Sequence, residues 1–153
     1  MYHFIHPLLI VLFWIGISHC QPNMCGGETL DFGLKEGEGR LIDDRTWESN
    51  AMEEAWLPYG PRQILRLSIP YFSDRIPLEV KVYISGYQAP NQATPDPNQP
   101  IPDNFALASG NLAETFIPGP GQVVVHNNTC AHFYARVVIH FPPRVPFIPP
   151  PSP

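Results

Sequence analysis

The clearest hydrophobic pattern in the chain is the alternation of Leu78, Val80, Val82 and Ile84 with Glu79, Lys81, Tyr83 and Ser85. Period two with one polar face predicts a half-buried strand, because successive side chains in a strand point to opposite sides. Upstream, residues 63–69 (QILRLSI) place Leu65, Leu67 and Ile69 on one side and Arg66 and Ser68 on the other, and Pro70 ends the run. Val123, Val124 and Val125 form a β-branched run. Residues 133–141 (FYARVVIHF) set Phe133, Ala135, Val137, Ile139 and Phe141 against Tyr134, Arg136, Val138 and His140. The short span 126–132, turning around Asn127 and Asn128, predicts a hairpin between these last two strands.

The rest of the pattern is weaker. Gly26, Gly27, Gly33, Gly37 and Gly39 predict turns with short strands at residues 29–32 and 40–42. Residues 46–56 (TWESNAMEEAW) are the one stretch with helical spacing, with Ser49 or Asn50 as cap and Pro58 as stop. Residues 86–104 are dense in Pro, Asn, Gln and Asp and predict a long surface loop. Several strands, many turn residues and almost no helix point to an all-β fold, an antiparallel β-sandwich or jelly roll with at most one short helix.

The two ends carry different signals. Residues 2–18 are apolar, with a core LLIVLFWIGI at 8–17 and no acidic residue before Glu28. That run is shorter than the roughly 20 apolar residues a membrane span needs, so residues 1–20 read as a cleavable signal peptide. Ser18 and Cys20 supply the small side chains for a cut between Cys20 and Gln21, although the n-region MYHFIHP lacks Lys and Arg. A lipoprotein anchor on Cys20 is the rival, and His19 before it is not small. Residues 142–153 (PPRVPFIPPPSP) cannot join a sheet, because proline lacks an amide hydrogen, and are expected to run as polyproline II. Between them, residues 21–141 are enough for one hydrophobic core, hence one domain.

Secretion changes the reading of the cysteines. Removing the signal leaves Cys25 and Cys130, an even pair in an oxidising compartment, which predicts a disulfide. Asn127, Asn128 and Thr129 form an N-x-T acceptor, which predicts a glycosylated Asn127 on an exposed turn in a eukaryotic host. The net charge is −5 and the nine Lys and Arg are scattered, so nucleic acid is excluded as a partner class.

Chemistry-bearing groups are sparse. The loop residues Asp96, Asn98 and Asp103 (with Asn104) supply carboxylate and amide oxygen ligands for calcium, the cofactor this reading would allow, without EF-hand spacing. Asp43, Asp44 and Glu48 form a second acidic run. His126, Cys130 and His132 are a zinc or copper ligand set only if Cys130 is a free thiol. Trp47, Trp56, Tyr59, Tyr71, Phe72, Tyr83 and Tyr87 serve as core or as stacking platforms, and Tyr83 and Tyr87 are the expected contacts to a carbohydrate or partner. No G-x-S-x-G, H-E-x-x-H or C-x-x-C occurs, so the chain is not expected to be an enzyme.

The order ILRLSIP, LEVKVYISG, FALASGNLAETF, QVVV and CAHFYARVVIHF resembles the pre-peptidase C-terminal type of secreted β-sandwich over residues 63–141. Residues 78–83, Ala108 with Ser109, and Tyr134 with Val137 occupy that pattern, while Lys81 replaces an apolar residue. The resemblance implies a β-sandwich. The function expected is a secreted, extracellular, non-catalytic binding module for a glycan or protein surface, with no membrane span after cleavage. The alternative is a self-assembling structural protein of an extracellular matrix or cell envelope.

Overall fold

In the computed structural model the described residues are 26–33, 35, 38–90 and 105–144. They form ten strands in two sheets, with two single-turn 3-10 segments at Pro70–Phe72 and Gly110–Leu112. The fold is an all-β sandwich, as the alternation predicts.

The first sheet has the order β1 (Thr29–Phe32), β5 (Ile64–Ser68), β9 (Gln122–His126), β8 (Glu114–Gly119). Its β1·β5 pair is parallel and the others are antiparallel. The second sheet runs β2 (Arg40–Leu41), β3 (Thr46–Glu48), β10 (Phe133–His140), β6 (Glu79–Ser85), β7 (Ala106–Ala108), and β4 (Leu57–Tyr59) also pairs with β10. The core lies between the sheets. Leu65, Leu67, Val123 and Val125 from one side meet Val82, Ile84, Ala135, Val137 and Ile139 from the other. Each such Val, Leu or Ile side chain contributes on the order of 1.5–3 kcal/mol by leaving water. Phe72 stacks on Phe141 at 3.9 Å between centroids. Tyr59 is fully buried, which pushes its hydroxyl pKa up, and it stays neutral and donates to Leu112 O at 2.9 Å.

Three expectations are corrected. First, β9 and β10 are not a hairpin, because β9 pairs with β5 and β8 while β10 pairs with β3, β4 and β6. Their apolar faces meet across the core, and residues 127–132 carry the chain from one sheet to the other. Second, residues 46–56 are not helical. Thr46–Glu48 is a strand against Val138, Ile139 and His140. Ser49 prolongs the pairing, its N–H donating to Val137 O at 2.9 Å and its Oγ accepting from Val137 N at 3.0 Å. Ladder bonds to the central strand outweigh the weak propensity of a single short helix. Third, Leu78 precedes β6 and is 71% exposed, so the inward row begins at Val80.

One glycine is needed for its shape. Gly121 turns the chain between β8 and β9 at φ +62°, and an added Cβ would lie 2.7 Å from Ile69 O. Its N–H and C=O join Arg75 O and Ile69 N.

The outward face of the second sheet has a core of its own. Glu48, only 1% exposed, stands between Arg40 of β2 and Arg136 of β10 and is ion-paired to both. Arg136 also donates through Nε to Asn50 O at 2.9 Å, and its guanidinium lies 5.6 Å from the Tyr83 ring centroid. Tyr83 meets Phe105 edge-on at 6.1 Å, and Phe105 packs on Trp56 at 5.7 Å. Residues 49–56 therefore close over the sheet, burying Ala51 and Trp56. Glu48→Ala leaves Arg136 nearly buried without its counter-charge and is expected to cost about 3–5 kcal/mol, measured as a fall in the urea unfolding free energy. Replacing Glu48 and Arg136 together by methionine is expected to cost much less, because no lone charge is then left inside.

Candidate functional site

The polar recess beside β2 and β3 grows out of the same network. It has a volume of about 250 Å³ and is lined by Phe32, Glu38, Gly39, Arg40, Ser49, Asn50 and Glu54. The β1–β2 connection supplies Glu38, whose Oε2 accepts from Gly33 N at 2.9 Å and Lys35 N at 3.2 Å. The segment after β3 supplies Asn50 and Glu54. Glu54 Oε2 accepts from Ala51 N at 2.8 Å, and Asn50 Nδ2 donates to Ala55 O at 2.9 Å. Asn50 Oδ1 is buried without a hydrogen-bond partner among the described residues. Arg40 is largely exposed, and its pKa is raised, first by the hydrogen bond to Glu48 and then by that carboxylate's charge. The recess thus offers a guanidinium held by Glu48, two carboxylates and an amide, with a phenyl ring in the same lining. That set suits hydroxyl groups, which both donate and accept.

A second recess of about 310 Å³ lies where β4 and the first residues before β1 approach His132. Its walls are the bare backbone of Gly26, Gly27 and Gly60, the rings of Pro58, Pro61 and His132, and the polar residues Glu28 and Gln63. The His132 ring stands edge-on to Tyr134 at 5.4 Å, and Tyr134 sits opposite Pro58 in the β4·β10 ladder. Arg62, at φ 55°, turns the wall, and its N–H donates to Thr129 O at 3.0 Å.

The sequence-predicted residues fall as follows. Tyr83 is half-buried under Arg136 and Phe105, so its ring supports the network behind the polar recess. Tyr87 is 57% exposed. Asn127 is a correction to the expected exposed turn: it is 1% exposed, and its Nδ2 donates to Gly60 O at 2.7 Å and Ala131 O at 2.9 Å. Its Oδ1 accepts from the Thr129 amide and hydroxyl. The amide that would carry a glycan instead fastens the crossing between the sheets. Asp96, Asn98 and Asp103 lie outside the described residues, as do Cys25, residues 1–20 and residues 145–153. Among the described residues no group of three His, Cys, Asp or Glu is placed to hold a metal ion. His126 packs on Phe116 and His132 on Tyr134. No described helix is long and apolar enough to cross a membrane.

Thr46 and His140 resemble a nucleophile and base, with Oγ1 and Nδ1 3.0 Å apart and Glu79 Oε2 3.8 Å from Nε2. Thr46 Oγ1 also lies 3.1 Å from Asp43 Oδ2, so its single proton goes either to that carboxylate or to His140 Nδ1, according to the tautomer of the imidazole. Sequence reasoning missed the polar recess altogether, since Glu38, Arg40, Asn50 and Glu54 share no motif spacing. Comparisons with family models, with curated proteins and with solved structures each give no match for this chain.

Asp43 has its carboxyl held below the ordinary range, chiefly by the Arg45 amide at 2.8 Å and further by the Thr46 hydroxyl. A depressed folded pKa stabilises the fold above the unfolded value of about 3.9 and loses that contribution as pH falls through the folded one. Asp43→Asn is therefore expected to flatten the decline in stability below about pH 4, as measured by thermal unfolding across an acid pH series.

Proposed function

We propose that this chain is a secreted, non-catalytic binding module that holds a glycan in the polar recess beside β2 and β3. The observation that carries the reading is the recess itself: Arg40, Glu38, Glu54 and Asn50 converge on one cavity edged by Phe32. Sugars present hydroxyls around an apolar ring face, and planar charged or amide groups beside an aromatic ring match both. Glu38 and Glu54 each already use one oxygen on backbone amides, which suits holding a ligand more than shuttling protons. Secretion rests on the signal-like residues 1–20, and the resemblance to appended extracellular β-sandwiches points the same way.

The expected result is saturable binding to at least one member of an immobilised oligosaccharide panel, weakened about ten-fold or more by Arg40→Ala. Tyr87→Ala is expected to leave binding unchanged, because that ring is not among those lining the recess. No saturable binding across the panel would overturn the reading, and loss on Tyr87→Ala alone would move the ligand to the exposed tyrosine.

The disulfide between Cys25 and Cys130 belongs to the same proposal. Gly26, next to Cys25, lies against Pro61, with the position of its absent Cβ 3.2 Å from Pro61 O. The following Arg62 bonds Thr129 O, next to Cys130. The neighbours of both cysteines thus converge on one turn. Reduction is expected to lower the unfolding free energy by up to roughly 4–5 kcal/mol for a loop of this length, read from urea transitions with and without reductant. A secreted chain that alkylates at both cysteines before reduction would refute the bridge.

A further inference from the structure

We infer that the sugar held in the polar recess beside β2 and β3 carries a free, protonated amine, so that the ligand is an amino-sugar glycan rather than a neutral or acidic one; this rests on the glycan reading of that recess.

The charges around the recess set the sign of the ligand. Glu38 and Glu54 line it together with a single guanidinium, that of Arg40. Behind Arg40, Glu48 and Arg136 are ion-paired and cancel. Lys35 and Glu53 lie outside the lining and cancel as well. Lys35 Nζ is 4.0 Å from Glu38 Oε1 with its side chain 85% exposed, and Glu53 acts on the Arg40 charge more weakly than Glu54 does. Two carboxylates against one guanidinium leave the recess with an excess of negative charge, and a cation is the ligand group that offsets it.

The hydrogen-bonding groups point the same way. Glu38 Oε2 is taken by Gly33 N and Lys35 N, and Glu54 Oε2 by Ala51 N, which holds both carboxylates in place with their second oxygens left to accept. Arg40 is held through Nε by Glu48, and its terminal N–H groups serve the oxygens of a sugar. The two carboxylates accept only, so a donor must meet them. Asn50 spends its Nδ2 on Ala55 O, and its Oδ1, buried without a hydrogen-bond partner among the described residues, adds one more unmatched negative dipole end to the same wall.

Three kinds of sugar substituent can be compared on these terms. An ammonium brings three donors, no acceptor and a positive charge, and an aromatic ring such as Phe32 in the lining attracts it further. N-acetylation removes the charge and sets a carbonyl oxygen among carboxylates. A uronate adds a third like charge, and the guanidinium that could meet it is already shared with Glu48.

The test is titration calorimetry of the full chain with three oligosaccharides of equal length, built from glucosamine, N-acetylglucosamine or galacturonic acid. It is run at about pH 5.5, where an amine is protonated and an ordinary carboxylate ionised. The glucosamine oligomer is expected to bind about ten-fold or more tightly than the N-acetylated one, and more weakly as salt is raised. The galacturonate oligomer is expected not to saturate. Glu54→Gln and Glu38→Gln are each expected to remove most of the preference for the free amine while the melting temperature stays unchanged. Saturable binding in which the N-acetylated or the galacturonate oligomer equals or exceeds the glucosamine one would overturn the inference and leave the glycan reading standing. A preference that survives in both glutamine variants would overturn it too, since the amine would then be met elsewhere. No saturable binding to any of these oligomers, nor to any other oligosaccharide, would overturn the inference and the glycan reading together.

Discussion

A carboxylate at 1% exposure organises the outward face of the larger sheet. Glu48 sits opposite Arg40 on β2 and Val138 on β10, and it is paired to Arg40 and Arg136. An ionised carboxylate out of water is costly unless its charge and lone pairs are met, so everything near it is arranged to meet them. Arg136 is held over Tyr83 and against Asn50 O, Tyr83 is covered by Phe105, and Phe105 by Trp56. The segment after β3 must then lie across the sheet rather than coil as a helix. The polar recess is the solvent-facing side of this arrangement, which is why Arg40, Ser49 and Asn50 appear both around the buried ion pair and in the cavity lining.

β10 links this network to the rest of the molecule. Its inward residues Ala135, Val137 and Ile139 belong to the main core, while Arg136 and Val138 belong to the covered outer face. At one end it begins beside the groove of Pro58, Pro61 and His132, and at the other it delivers Phe141 to a stack on Phe72 and Pro142 to Arg75. One strand therefore spaces two surfaces of different chemistry, a charged recess and a ring-lined groove.

Asn127 illustrates how a short motif can be read correctly in letters and wrongly in place. As part of N-x-T it pointed to a surface turn. In the fold its amide satisfies Gly60 O and Ala131 O, and its carbonyl oxygen takes the Thr129 amide and hydroxyl. The crossing between sheets exposes backbone groups that no ladder can satisfy, and a buried asparagine with donors and acceptors on one planar group does so.

By itself the sequence determined the fold class, the strands at 64–68, 79–85, 122–126 and 133–140, and, in all but 122–126, which of their residues face the core. The reason is local: alternation has period two, and burying one face requires nothing from the rest of the chain beyond a second apolar face. It also determined the short strand at Thr29–Phe32 and the start of the one at Arg40, since glycine turns bound them. Tertiary structure alone decided that β9 and β10 oppose each other across the core, that Thr46–Glu48 is a strand, that Asn127 is inside and that Glu48 is buried. Those outcomes depend on partners far away in sequence, as with Glu48 and Arg136, 88 positions apart. A carboxylate's place is set by the cation that meets it in space, and no spacing along the chain records that meeting.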